Sequence, residues 1–148
     1  MIFDKMKKVL FSLLIMFVGL LLHAQDQLHT VAKQYLQNGQ FEKAAATYKQ
    51  LLEYNPNSES ILFGYLESLN GIRDYKTAEK ILKEQIKMHE GALKYSFELG
   101  KIYKLQGEDK KAKKTFDAII DDVKPGEEGI KSTASLFQKE GLYDYAIA

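Results

Sequence analysis

Residues 39–48 read GQFEKAAATY, and the stretch poses a question: why does a glycine interrupt a helical pattern just before an aromatic, two charges and three alanines? Before it, Leu28, Val31, Ala32 and Tyr35 fall at i, i+3, i+4 and i+7, one face of a helix. After it, Phe41, Ala44, Ala45, Tyr48, Leu51 and Leu52 make the apolar face of a second helix. Asn55 and Pro56 close that helix, because proline cannot continue the hydrogen-bond ladder. Gly39 is the punctuation between the two. Glycine takes positive φ just past a helix end without the steric penalty other residues pay, so the chain stops, turns and starts again. Ala44 is the expected contact point, since so small a side chain lets two helix backbones approach closely.

The layout returns along the chain. Ala44, Ala78, Ala112 and Ala146 stand 34 residues apart, as do Tyr35, Leu69, Tyr103 and Phe137, and Tyr48, Leu82 and Phe116. Gly39, Gly107 and Gly141 keep the same phase. This arrangement resembles the tetratricopeptide repeat, a helix-turn-helix unit of about 34 residues. The resemblance covers Gln25 to Ala148 and implies an all-α chain, a right-handed helical solenoid of antiparallel helix pairs. Three full units, 25–58, 59–92 and 93–126, precede a truncated fourth, 127–148.

The first unit matches through Ala32, Tyr35, Gly39, Phe41, Ala44, Tyr48 and Pro56, and the third through Leu99, Gly100, Tyr103, Gly107, Ala112 and Phe116, with Pro125 one place late. In the second, Leu66 replaces the small residue of the first helix, Arg73 the turn glycine and Glu90 the closing proline. Leu51, Gln85 and Ile119 stand where the family often carries a further alanine, which bears on the angle between repeats. The fourth unit offers Ala134, Phe137, Gly141, Tyr143 and Ala146, and its second helix is cut after roughly one turn. A repeat array exposes an apolar face at an uncapped end. Two readings stay open: the front of a longer protein, or a natural short end that frays or pairs with another chain.

Residues 1–24 are a different kind of segment. Lys5, Lys7 and Lys8 precede a run from Val9 to Leu22 that is apolar except for Ser12, which suits the core of a secretory signal peptide and falls short of a membrane span. Ala24 supplies a small residue for cleavage before Gln25, and Met6 is an alternative start to Met1. The expectation is an exported protein of the periplasm or cell envelope, with membrane attachment only if the segment stays uncleaved. Of 21 lysines and arginines and 20 acids, the segment holds three lysines and one aspartate, so 18 and 19 remain. That balance argues against nucleic acid as a partner, because phosphate binding needs a concentrated basic surface. The absence of cysteine excludes disulfides, thiolate chemistry and lipid-modified cysteine.

Catalytic constellations are missing from the sequence. Beyond residue 24 only His29 and His89 remain, far apart and without metalloprotease spacing, and no pair of carboxylates is singled out as acid and base. GEDKKAKKT, residues 107–115, lacks the ending of a phosphate-binding loop, so Lys110, Lys111, Lys113 and Lys114 read as a solvated helix face. The acids of DDVKPGEE do not follow the calcium-loop pattern. The reading is therefore not an enzyme, with no cofactor, no metal and no small-molecule substrate.

The resemblance implies a binding surface, because in this family the first helices of successive repeats line a concave groove. Positions one step off the core stripe form a row 34 residues apart, His29, Phe63, Phe97 and Lys131. Lys33 joins them from the first unit, Glu67 and Asn70 share the stripe of Phe63, and Lys101 and Lys104 that of Phe97. Phenylalanines on polar stripes serve either as exposed hot spots for a peptide or as rings folded back into the seam between repeats. The chaperone-tail clamp of some family members would fall on His29, Lys33, Gly64, Lys94 and Glu98, of which only Lys94 fits, while Glu98 would repel a carboxylate. The expected function is an exported, noncatalytic scaffold that binds a protein or peptide partner in its groove. The alternative is the sensory or recruiting front of a larger enzyme such as a sensor kinase or peptidase.

Overall fold

The computed structural model describes residues 2–89, 92–122, 127–139, 141, 142 and 145. Its helices are α1 (Ile2–Gln37), α2 (Phe41–Tyr54), α3 (Glu59–Gly71), α4 (Tyr75–Met88), α5 (Leu93–Leu105), α6 (Asp109–Asp121) and α7 (Glu127–Lys139), with no strand among the described residues. They fall into two compact units, Met1–Arg73 and Asp74–Ala148. Consecutive helices pack on one another: α1 on α2 and α2 on α3 in the first unit, α4 on α5 and α5 on α6 in the second.

The turn glycines do what the sequence requires of them. Gly39 has φ +69°; its N–H donates to the Leu36 carbonyl at 3.1 Å, and the next N–H, of Gln40, reaches back to Tyr35 at 2.8 Å. These two bonds satisfy carbonyls that the last turn of α1 leaves without partners. Gly107 (φ +75°) and Gly141 (φ +71°) close α5 and α7 with the same pair of bonds. Arg73 occupies the equivalent place after α3 and adopts φ +60°, so the fold imposes the glycine conformation on a residue with a Cβ.

Ala44 and Ala78 have no exposed surface and Ala112 has 5%, which places the in-phase alanines where helices meet. In the first unit Ala32, Ala44, Tyr48, Leu51 and Ile61 form the core, flanked by Leu28, Tyr35, Leu36, Leu52 and Tyr65. Val31 departs from the expectation and is exposed, while Leu36 packs against this core. Leu66, in the place of the small residue, is buried. In the second unit, the rings of Phe97, Phe116 and Phe137 meet at 5.2 to 5.7 Å, and Tyr145 closes on the last two at 5.1 and 5.4 Å. Phe137 thus anchors α7. Glu90, Pro125, Tyr143 and Ala146 lie outside the described residues.

The basic and apolar N-terminal segment continues into the first repeat as a single helix, with no break at residues 24 and 25. Leu10, Phe11, Leu13, Leu14, Ile15, Met16 and Phe17 are all more than half exposed along it. Among the described residues no helix is long and apolar enough to cross a membrane.

Candidate partner-binding site

The first unit contains an open hollow of about 600 Å³ between two first helices. Lys33 and Gln37 stand on the α1 side, Phe63 and Glu67 on the α3 side, and Tyr48 of α2 forms the floor. The floor lies this close because position 64 is glycine: a Cβ there would come within 3.0 Å of the Tyr48 ring, so any side chain would force the ring or α3 to shift. Ser68 turns inward on the same helix and donates from Oγ to the Gly64 carbonyl at 2.7 Å, satisfying a fully buried hydroxyl within its own turn.

Charge is divided across this hollow. Lys33 and Glu67 are both exposed, one on each wall. Their fields register on the groups below them. The His29 imidazole titrates below its usual range, because of burial first and Lys33 second, with Asp26 opposing. Burial pushes the Tyr48 hydroxyl up, and the Glu67 carboxylate adds to the effect. His29 meets the Tyr48 ring edge-on, centroids 6.0 Å apart, and its Nε2 lies 3.5 Å from Ser60 Oγ. A neutral His29 therefore supports the floor, and the charge on the α1 wall is that of Lys33.

Of the residues expected to form the binding row, the structure brings His29, Lys33, Phe63 and Glu67 together around this hollow. Phe63 is half-buried and still lines open space. Phe97 is a correction: it is 1% exposed, held between Phe116 of α6 and Phe137 of α7, and belongs to the core of the second unit. Lys101 lies 6.0 Å over that ring and 3.2 Å from Glu98. Lys104 and Lys131 are exposed on α5 and α7. Asn70 is half-buried at the end of α3, and its Oδ1 is closed off without a hydrogen-bond partner among the described residues. Tyr48, Gln37 and Ser60 were not foreseen as lining residues. The one available signal was Gly64, a helix-interior glycine that costs about 1 kcal/mol against alanine and so asks for a packing reason. Among the described residues no three His, Cys, Asp or Glu side chains are grouped to hold a metal ion. A second hollow, floored by Ile86, Leu93, Leu99 and Ile119 in the second unit, contains none of the expected residues.

Comparison with known proteins bears on the fold. A family model for the tetratricopeptide repeat matches residues 26–58, and another for the same repeat matches residues 94–123. Among solved structures, the crystal structure of MamA is similar at TM-score 0.54 and 22% identity, over 83% of this chain and 72% of that one. A tetratricopeptide repeat protein from Parabacteroides merdae ATCC 43184 is similar at TM-score 0.58 and 16% identity, over 82% of this chain, which spans 48% of that protein. MamA residues 41 to the end from Desulfovibrio magneticus RS-1 gives 0.54 and 15%, over 83% and 70%. At these identities the likeness is one of fold. No curated protein matches the sequence. The chain thus carries two segments, residues 26–58 and 94–123, that match the tetratricopeptide repeat, and it shares its succession of packed helices with these solved structures.

Proposed function

We propose that this chain is an exported, noncatalytic scaffold that holds a segment of a protein partner in the hollow of its first unit. The observation that carries the proposal is the combination at that hollow of an accessible aromatic, Phe63, with opposite charges on facing walls, Lys33 and Glu67. An apolar contact ringed by polar groups supplies affinity at its centre and orientation at its rim. A segment lying there would place an acidic side chain toward α1 and a basic one toward α3, with an apolar residue over Phe63. Phe97 takes no part, so the apolar contribution comes from the first unit alone. Export rests on the basic and apolar composition of residues 1–24 and on Ala24 before Gln25.

The test is selection of peptides from a displayed library on the purified protein, followed by affinity measurements on variants. Phe63→Ala should weaken the selected peptides at least about tenfold, the loss expected of a hot-spot aromatic, while helicity by circular dichroism is unchanged. Lys33→Glu should shift the selected sequences away from acidic residues at one position. Equal affinity of wild type and Phe63→Ala for every selected peptide would overturn the groove reading. Export is tested separately: the protein recovered from the envelope fraction should begin at Gln25 by mass spectrometry, and an intact Met1 or Met6 terminus would contradict cleavage.

A further inference from the structure

Helix α6 carries its surface charge against the expected sense. A helix end with free N–H groups favours acids and the carbonyl end favours bases. Glu108 and Asp109 obey this at the start of α6, but Lys110, Lys111, Lys113 and Lys114 follow at once, and the far end holds Asp117, Asp121 and Asp122. Lys111 pairs back with Glu108, and Lys113 with Asp117 at 2.7 Å. Beside these pairs runs a second stripe, which shares Asp117 with Lys113. At 100° per residue Lys110, Lys114, Asp117 and Asp121 lie within about 60° of one another on the helix surface. Lys110, Lys114 and Asp121 are exposed, Asp117 is half-exposed, and with Ala118 they border a shallow open hollow. No core residue of α6 shares the stripe, since Ala112, Phe116 and Ile119 face inward.

We infer that the α6 stripe is a two-fold contact with a second copy of this chain, the two α6 helices running antiparallel. The stripe is basic in its first half and acidic in its second, so it is complementary to itself once one copy is turned end for end. In that register Lys110 faces Asp121 of the other copy and Lys114 faces its Asp117, and the symmetry generates the reverse pairs. Antiparallel alignment also sets each acidic helix end beside the positive end of the other helix, so the placement that is unfavourable in one copy is compensated by two. Ala118, small and central, keeps the helices from being held apart. A purely basic partner or an anionic surface would satisfy only half of the stripe, which is why a second copy fits and a nucleic acid or lipid surface does not.

Such a contact is electrostatic, so it is weak, and salt opposes it. Sedimentation of the purified full chain should show a monomer–dimer equilibrium whose association constant falls about tenfold or more between low and high salt. The variant K110E/K114E, all acidic along the stripe, and the variant D117K/D121K, all basic along it, should each be monomeric. Mixed in equal amounts, they should form a heterodimer tighter than the wild-type dimer. Both variants bring the charges into the sense the helix dipole prefers, so both are expected to fold, and circular dichroism checks this. Association through the apolar N-terminal segment is common to all the proteins and insensitive to these exchanges. A mixture that stays monomeric at low salt overturns the inference, and so does a wild-type dimer that persists in either variant alone.

Discussion

At the scale of single residues, the fold is decided by which backbone conformations a position must adopt. Position 73 sits in the phase of Gly39, Gly107 and Gly141, and Arg73 has been forced to φ +60° to complete the turn. A left-handed conformation costs a residue with a Cβ about 1–2 kcal/mol, while glycine gives back about 0.5–1 kcal/mol in unfolded-chain entropy. Arg73→Gly should therefore stabilise the protein by about 0.5–1 kcal/mol, read as a higher urea midpoint at unchanged m-value; a lower midpoint would mean that the arginine side chain contributes more than its backbone costs. Glu79 makes a second case. Its carboxyl is held below the usual carboxylate range, chiefly by the Lys83 ammonium at 2.6 Å and, against the effect of burial, by the Tyr103 hydroxyl, which donates at 3.1 Å. A depressed carboxylate stabilises the fold fully above its unfolded value near 4.5, and the gain is lost as pH falls through the lower folded value. Tyr103→Phe should thus cost less than about 1 kcal/mol at neutral pH, the pair being partly open to solvent, and the deficit should shrink in acid. A deficit independent of pH in urea titrations would assign the loss to packing instead.

At the scale of elements, each helix is a compromise between local start signals and the face it buries. Among helices α2 to α6, α4 has a side-chain cap: Asp74 Oδ1 accepts from the Thr77 N–H at 3.2 Å, whereas the residues before α2, α3, α5 and α6 make no such bond. The cap follows directly on the strained Arg73, so the α3–α4 turn sets a local cost beside a local gain. Asp74→Ala should destabilise by about 1 kcal/mol and Asp74→Asn should restore most of it, by thermal or urea unfolding; equal losses in the two variants would show that the charge, not the cap, matters. What the sequence made legible belongs to this scale. Gly39, Gly107, Ala44, Ala78 and Ala112 act within one turn or one close helix contact, so their spacing alone located the helices and the joints. The binding row was less legible, because helical phase places a side chain only relative to its own axis. Phe63 and Phe97 look alike on that basis. Their fates separate because Phe116 and Phe137 come from other helices to enclose Phe97, while the approach of α3 to Tyr48 at Gly64 leaves Phe63 beside open space.

At the scale of the molecule, the sequence period and the packing divide the chain in different places. By period the chain divides at 58, 92 and 126, yet its compact units meet at Arg73 and Asp74, inside the second repeat. Within the first unit α2 contacts both α1 of its own repeat and α3 of the next, so the repeat boundary at 58 is a feature of sequence and not of packing. Stability in such a chain is carried locally, by each unit's own core. Phe97 lies at the centre of the aromatic group of the second unit, and truncating so buried a ring costs about 3–5 kcal/mol. Because nearest neighbours carry the coupling, Phe97→Ala should strip hydrogen-exchange protection from α5, α6 and α7 while α2 and the amides of Ile61 to Leu69 in α3 keep theirs. Exchange measured peptide by peptide on the full chain checks this, and circular dichroism should show only partial loss of helix. The peptide affinity conferred by the Phe63 hollow should survive the same substitution. Loss of protection spread evenly from α2 to α7 would instead make the chain a single cooperative body, and the hollow could then not be assigned to the first unit alone.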